Sequence, residues 1–439
     1  MIYWLLLLFF VVEYVRPTSY VPELMVLKLN SLVPISAAIG SLFLGTGRVA
    51  TEELLTETNT KLMLSFLGLL LLSVVTADVT ERAWTMFMAV FGYVLIYWVI
   101  AQQVTSVERL KGVFSALIVV HLIITVLNPQ IFGGERAYIQ SGAFLGDGND
   151  FALSVNIAIP LCLFLVLDAG KAYRRVFYLA AVLLLVLDVV VTQSRGGTVA
   201  LACVGIYYWL KSDRKIPMAI VATGALIMVL ALAPSSYFDR MNSLGDTQEG
   251  SARGRIEAWK AGIAMAIDNP ILGVGAGHFA IMHGARYRNA VESPANQTAH
   301  SIYFLILGDL GLPGFALLIS FFVLNFVENK RLAEECAKAP ESLVARSNRQ
   351  LLAAVSAALL AYATGGAFLS AVYYPHMAVL AGLQVAARRV VRSRLGVTET
   401  DDVSPTVLTP SPVAGLSPYF VPPRPSREPR AAVGLARRR

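Results

Sequence analysis

The sequence predicts an all-α, polytopic integral membrane protein of about twelve transmembrane helices with one large extramembrane loop. Three observations carry that reading. Of 439 residues, 56% are hydrophobic and only 15% charged, against roughly 25% charged in a soluble domain. The apolar residues gather into runs of near-spanning length. The basic residues between those runs alternate in density, as they do where short loops lie on opposite sides of a bilayer.

The runs are 1–15, 26–45, 62–77, 83–101, 112–127, 151–167, 176–192, 197–210, 216–233, 301–326, 351–371 and 374–387. A span needs about 20 residues, with roughly 17 as the lower limit, so the shorter runs borrow a turn from their loops. Met1–Val15 has no basic n-region and no small-residue cleavage site, so it reads as a retained first span. With the N-terminus inside, the inside loops hold Arg48 and Lys61, Arg109 and Lys111, Lys171, Arg174 and Arg175, then Lys211, Arg214 and Lys215. Lys330 through Arg349, in a charged inside loop over 328–350, and Arg388, Arg389, Arg392 and Arg394 after the last span continue the pattern. The outside loops carry about one arginine each: Arg16, Arg82, Arg136 and Arg195. Both termini are therefore expected in the cytoplasm. The organisation expected is nine spans over 1–233, a large outside loop over 234–300, three spans over 301–394, and a disordered Pro/Arg-rich tail over 395–439.

The net charge of +7 follows from this topology and does not indicate a nucleic-acid partner. Cys162, Cys203 and Cys336 form no disulfide framework, and no Cys/His set has zinc spacing. His121 falls mid-span, where a helix–helix hydrogen bond is expected. In residues 133–151, Gly142, Gly146 and Gly148 permit turns. Asn149 and Asp150 suit capping of a helix that starts near Phe151, and they would wall an outside site. In residues 183–200, Asp188 lies inside an apolar run and Ser194-Arg195-Gly196-Gly197 interrupts it. A continuous helix would put Asp188 and Arg195 two turns apart on one face. An arginine held at membrane level is costly unless it is paired or functional.

Ser251 to Gly314 is the polar, glycine-punctuated exception in this apolar chain. It holds three of the five histidines (His278, His283, His300) and the arginines Arg253, Arg255, Arg286 and Arg288. Arg255, Trp259 and Ile263 recur at i, i+4, i+8, which predicts an amphipathic helix over 252–267 that lies at the membrane surface or covers the site. Trp259 would anchor it at the interface, and Asn269-Pro270 would stop it. Gly273-Val-Gly275-Ala-Gly277 follows no predicted strand, so it reads as a flexible turn with exposed amides and not as a dinucleotide fingerprint. His278 and His283 read as solvated loop residues. Ala299-His300-Ser301 puts an imidazole at the water–lipid boundary, on the first turn of the next span.

Four patches together resemble the O-antigen ligase and polymerase superfamily of bacterial envelope polysaccharide assembly. They are Gly142-Ala-Phe144 with Asn149-Asp150-Phe151-Ala152; Thr192-Gln-Ser194-Arg195-Gly196; Arg255 through Trp259 followed by Asn269-Pro270-Ile-Leu-Gly273-Val-Gly275; and Ala299-His300 followed by Leu310-Gly311-Leu312-Pro313-Gly314. The resemblance covers roughly residues 60–390. Members commonly have His-Asn where this chain has His300-Ser301, and a Gly-Leu-Ile-Gly-like run where it has Gly-Leu-Pro-Gly. The resemblance implies a GT-C-like, inverting, metal-independent glycosyltransferase without cofactor, in the inner membrane with its site on the periplasmic face. The implied donor is an undecaprenyl-diphosphate-linked glycan. The implied acceptor is a lipid A-core sugar in ligases, another repeat unit in polymerases and a protein in further relatives.

The residues suit that chemistry on their own. Arginine offers a planar, permanently charged fork for diphosphate oxygens, which gives Arg195 and Arg255 that role, with Arg253, Arg286 and Arg288 in support. A neutral histidine suits removal of a proton from a sugar hydroxyl, which points to His300. Asn149, Asp150, Ser194 and Trp259 complete the expected wall. The competing readings are a secondary transporter and a membrane scaffold. The long loop between spans nine and ten breaks the six-plus-six symmetry of a transporter, and the Asp188/Arg195 pairing argues against a scaffold.

Overall fold

Each apolar run within the described residues folds as a helix, because backbone amides in lipid find partners only within the segment itself. The computed structural model describes residues 1–43, 49–132, 139, 144–212, 215–216, 224, 250–288 and 296–401. The expected span 216–233 and Pro234 lie almost wholly outside them. So do Gly142, the first part of the large loop and nearly all of the tail. The helices are α1 (Ile2–Phe10, prolonged by a π-turn at Val11–Val15), α2 (Leu29–Phe43), α3 (Thr51–Thr56), α4 (Thr58–Thr76), α5 (Thr80–Gln103), α6 (Val107–Leu127), α7 (Gly148–Leu167), α8 (Ala172–Val191) and α9 (Arg195–Lys211). Then come α10 (Gly250–Asp268), α11 (Phe279–Met282), α12 (Ile302–Lys338), α13 (Leu343–Gly366) and α14 (His376–Asp401). No β-strand occurs among the described residues. Met1–Gly396 forms one compact unit.

Seven helical segments are long and apolar enough to cross a membrane: Ile2–Ser19, Pro22–Phe43, Thr58–Thr76, Thr80–Gln103, Val107–Leu127, Gly148–Leu167 and Ile302–Lys338. The twelve expected runs are thus supported in seven by length and composition. Helix α9 has only 17 residues, and α8 carries Arg174, Arg175 and Asp188 within its length. Helix α7 is the buried axis, most of its length being enclosed, with α6, α8, α9 and α13 packed around it. His121 on α6 reaches Ser154 Oγ on α7 through Nε2 at 2.7 Å, the helix–helix bond expected of it. The three cysteines are free.

The basic end differs from expectation in two places. Residues 328–350 are not a loop: α12 runs to Lys338 and α13 begins at Leu343. The charged stretch is a good helix former, and the Lys330–Glu334 and Arg331–Glu335 pairs at i, i+4 (3.9 and 3.6 Å) support it. Arg388 is not a loop cation after the last span. It lies inside α14, 1% exposed, 3.1 Å from Glu328 and donating to Asn325 at 2.8 Å. A cation so buried is retained only where it is paired. Asn325 in turn exchanges hydrogen bonds with Asn59 on α4, so α4, α12 and α14 are tied together at this end.

At the other end α12 is broken, and the break explains the glycine-rich turn. Gly311 has φ 64° and ψ −160°, and Pro313 has no N–H to give to the carbonyl four residues back. The freed Gly308 and Asp309 carbonyls accept instead from Val274 N and Gly275 N, both at 2.9 Å. Leu312 N turns to Pro270 O at 2.9 Å. The Asp309 carboxylate accepts from Gly277 N (2.9 Å), Phe279 N (2.7 Å) and Tyr373 OH (2.9 Å). The amides of the turn are therefore engaged within the fold and do not form an open anion cradle. Gly273, Gly275 and Gly277 all have positive φ, and a Cβ on Gly273 would collide with the Gly308 and Asp309 backbone.

The left-handed backbone alone costs about 1–2 kcal/mol for a residue with a Cβ. Gly273→Ala is therefore expected to lower the unfolding temperature in detergent. Gly68→Ala, inside α4, where an added methyl meets nothing within 4 Å, should leave it unchanged or raise it. Equal melting of the two variants would contradict this account of the turn.

Candidate functional site

The loops expected on the outer side meet at one end of the bundle, and His300 and the arginines lie there. Helix α8 ends at Val191, Gln193 turns left-handed (φ 52°), and α9 starts at Arg195. The helix does not continue through Ser194, so Asp188 and Arg195 do not share one helical face. Asp188 instead accepts from Thr125 Oγ1 at 2.6 Å. Ser194 is buried as the N-cap of α9, its Oγ accepting from Gly197 N at 3.1 Å. This places half-buried Arg195 on the first turn of α9. The close approach that the glycine pair permits is made by the protein itself. A Cβ on Gly196 would strike Phe368, and one on Gly197 would strike Ala152.

Asn149 and Asp150 are half-buried in the first turn of α7. The cap is Asp147, whose carboxylate accepts from the Asn149 amide at 2.9 Å and from its side chain at 3.0 Å. The N-cap precedes the helix and needs its acceptor two or three residues before the donor. Asp147 meets that spacing, and the two residues after it do not. Tyr374 stands against this turn, 5.6 Å between its ring centroid and that of Phe144. Burial first, and then the charges of Asp150 and Asp147, raise its phenol above the usual value.

Helix α10 is the expected amphipathic helix, but its inner stripe is one of small residues. Gly254, Ala258, Ala261, Gly262, Met265 and Ala266 are buried while Ile263 is exposed. Small residues let helices approach closely beside lipid, so bulk hydrophobicity does not mark the packed face. Trp259 is half-buried against the strap 296–301 and α12. Its indole N–H donates to Ala299 O at 3.0 Å and its ring stacks on Phe304 at 5.1 Å and 17°. Arg255 sits one turn before Trp259, half-buried, and Gly254 lies against Gln297. Arg253 is more exposed and pairs with Glu257 at 3.5 Å. The α10 arginines are thereby set beside the strap 296–301 that carries His300.

His278 and His283 are buried, not solvated. His278 Nε2 accepts from Val79 N at 3.1 Å while Nδ1 faces Ala276 O at 3.0 Å, which ties the glycine turn to the α4–α5 connection. His283 lies in a π-turn (His283–Tyr287) whose Gly284 abuts Asn296. Arg286 is exposed there and Arg288 half-buried. The structure brings the turn that holds Arg286 against the strap at Asn296.

His300 itself precedes the N-cap of α12, Ser301, and so is not on the first helical turn. It is half-buried, with φ 48°. Its amide donates to Ser370 Oγ at 2.9 Å, and Ser370 Oγ also bonds Thr298 Oγ1 at 2.8 Å. Left-handed non-glycine residues cost on the order of 1–3 kcal/mol each and cluster at functional sites. Gln193 and His300 are two of them, one beside each of the two candidate groups. The connection 367–375 was missed in the sequence, where the runs 351–371 and 374–387 absorb it. Its signal was the polar and aromatic set Phe368, Ser370, Tyr373 and Tyr374 between two apolar runs. It contacts the Arg195 turn through Phe368, the His300 strap through Ser370, the broken α12 through Tyr373 and the Asp147 turn through Tyr374. Among the described residues no three His, Cys, Asp or Glu side chains converge as a metal site.

Burial first, and then the Arg288 charge, hold the His283 imidazole below its usual value, with Glu257 opposing. The fold thus favours neutral His283. Its contribution is present above the unfolded value near about 6.5 and is lost as pH falls through the folded value. Acidification from about pH 7 to about pH 5 should lower the melting temperature of the parent more than that of His283→Gln. Equal losses in the two would show that His283 is not the group responsible.

No curated protein matches the chain. Residues 153–319 match the model of a family described as O-Antigen ligase, a stretch that contains Arg195, Arg255 and His300. That match supports the O-antigen ligase-like superfamily for this helical chain, seven of whose segments are long and apolar enough to cross a membrane.

Proposed function

We propose that the chain is an O-antigen ligase, a glycosyltransferase that moves a polysaccharide from undecaprenyl diphosphate to a sugar hydroxyl of lipid A-core. The observation that carries this reading is the family match over 153–319, which encloses the His300 strap and both principal arginines. In this reading His300 takes the proton from the acceptor hydroxyl. The freed oxygen attacks the anomeric carbon from the face opposite the diphosphate. The bond to the diphosphate oxygen breaks, its electron pair leaves with the diphosphate, and the anomeric configuration inverts. Arg195 and Arg255 hold the departing diphosphate, with Arg253, Arg286 and Arg288 supplying further charge. Fixed cations placed where charge develops stand in for a metal ion. The site faces the periplasm and both termini lie in the cytoplasm.

The acceptor is tested by deleting the gene and comparing envelope glycans on gels. Lipid A that loses its polymer supports a ligase. Lipid A carrying only short chains makes the protein a polymerase of the same superfamily, loss of protein-linked glycan makes it a protein O-oligosaccharyltransferase, and unchanged glycans favour transport.

In a purified, stably inserted protein, His300→Ala should lower transfer by about 10²–10⁴-fold, the usual contribution of a general base. Near-normal transfer would remove His300 from this role. Arg195→Lys and Arg255→Lys keep the charge but lose the fork. Each should lose much of the activity and the alanine variants more, since a charge-assisted contact contributes roughly 1.5–3 kcal/mol, or tenfold or more. An alanine variant that binds lipid diphosphate and transfers as well as the parent would contradict this. Transfer should survive EDTA. Full loss restored by magnesium or manganese would overturn metal independence.

A further inference from the structure

The 367–375 connection holds a residue that the proposed reaction needs. We propose that Ser370 is a positioning residue that sets the direction of the His300 imidazole through the His300 backbone, an inference that rests on the proposed base role of His300. Ser370 Oγ accepts from His300 N at 2.9 Å and shares a hydrogen bond with Thr298 Oγ1 at 2.8 Å. One hydroxyl, with two acceptor lone pairs and one proton, serves both partners at once. His300 needs such a tether. At φ 48° it occupies a backbone region that a residue with a Cβ adopts only when its surroundings hold it there. Helix α12 does not supply the hold, because His300 lies before the N-cap Ser301 and the first helical bond there is Leu305 N to Ser301 O at 2.9 Å.

Ser370 is itself well held. Phe368 N donates to Gly365 O at 3.1 Å, the Phe368 ring lies against Gly196, and Tyr373 OH donates to the buried Asp309 carboxylate at 2.9 Å. The serine therefore transmits the position of α12 and of the Arg195 turn to the strap, and through φ and ψ to the imidazole. It acts through His300 and does not touch the substrate.

The test is steady-state transfer by the purified full-length protein, with a polyprenyl-diphosphate glycan as donor and lipid A-core as acceptor. Ser370→Ala should lower kcat roughly 10- to 100-fold, the scale of a base displaced by about 1 Å. KM for both substrates should stay within about twofold, because substrate binding does not involve Ser370. Ser370→Thr, which keeps the hydroxyl, should restore most of kcat. In the His300→Ala background Ser370→Ala should add no further loss, since the two residues act as a unit. Should Ser370→Ala fail to insert, Ser370→Cys replaces it. As a near-isostere with a weak hydrogen-bonding sulfur, it should fall well below Ser370→Thr in kcat. Equal kcat for the Cys and Thr variants, a change in KM alone, or the same fold-loss in both backgrounds would overturn the inference. Normal kcat in Ser370→Ala beside an inactive His300→Ala would overturn the role of Ser370 alone. Full transfer by His300→Ala would overturn the base assignment as well.

Discussion

The end of this protein that carries His300 is organised by the hydrogen bonds at the break in α12. A helix interrupted at Gly311 and Pro313 frees carbonyls in the buried interior, where an unsatisfied backbone group costs several kcal/mol. The turn Gly273–Gly277 satisfies them: Val274 N and Gly275 N take the Gly308 and Asp309 carbonyls, and the Asp309 carboxylate takes two further amides. That set of bonds holds the segment from α10 to the strap 296–301 onto α12. Without the break there would be no acceptors for the turn, and without the glycines the turn could not lie so close to α12. The two motifs, 38 residues apart from Gly273 to Gly311, are one structural unit.

From this unit the remaining contacts follow. Tyr373 joins Asp309 to the connection between α13 and α14. That connection reaches the Arg195 turn through Phe368 and the His300 strap through Ser370. Helix α10 brings its own arginines to the strap by way of Trp259 and Ala299. Groups from three separate parts of the chain therefore share one end of the bundle. On the proposed reading, a lipid diphosphate at headgroup depth and a sugar hydroxyl arriving from water would meet at such an end. The buried cluster around Arg388, at the opposite end, ties α4, α12 and α14 and keeps the framework from spreading.

Much of the helical framework was legible because a membrane span needs an uninterrupted apolar run, and such runs survive reading without any knowledge of packing. Helix faces were not legible. In α10 the inner stripe is Gly254, Ala258, Ala261 and Met265, while the larger Ile263 faces outward, because lipid tolerates apolar side chains as well as a protein interior does. Charged residues misled for a related reason. Lys330 to Lys338 read as loop but extend α12, and Arg388 read as a surface cation but is buried in a pair. His300, Arg195 and Arg255 were legible as candidates by residue type and by resemblance. Their common support was not, because Ser370, Phe368 and Tyr373 lie in a connection short enough to vanish between two apolar runs. The roles of Asp309 and Asp147 depend on which amides point at them, which no spacing rule reveals. The expected span 216–233 lies almost wholly outside the described residues.

The central claim is that the α13–α14 connection seats the His300 strap. It is tested most directly by a Thr298→Cys/Ser370→Cys pair in a background where Cys162, Cys203 and Cys336 are serine. The two native oxygens lie 2.8 Å apart, so the two side chains meet. The account predicts that mild oxidation of isolated membranes closes an intramolecular disulfide, seen as a shift in electrophoretic mobility that reductant reverses. Two thiols that stay free under oxidation, each still reactive toward a thiol probe, would contradict it.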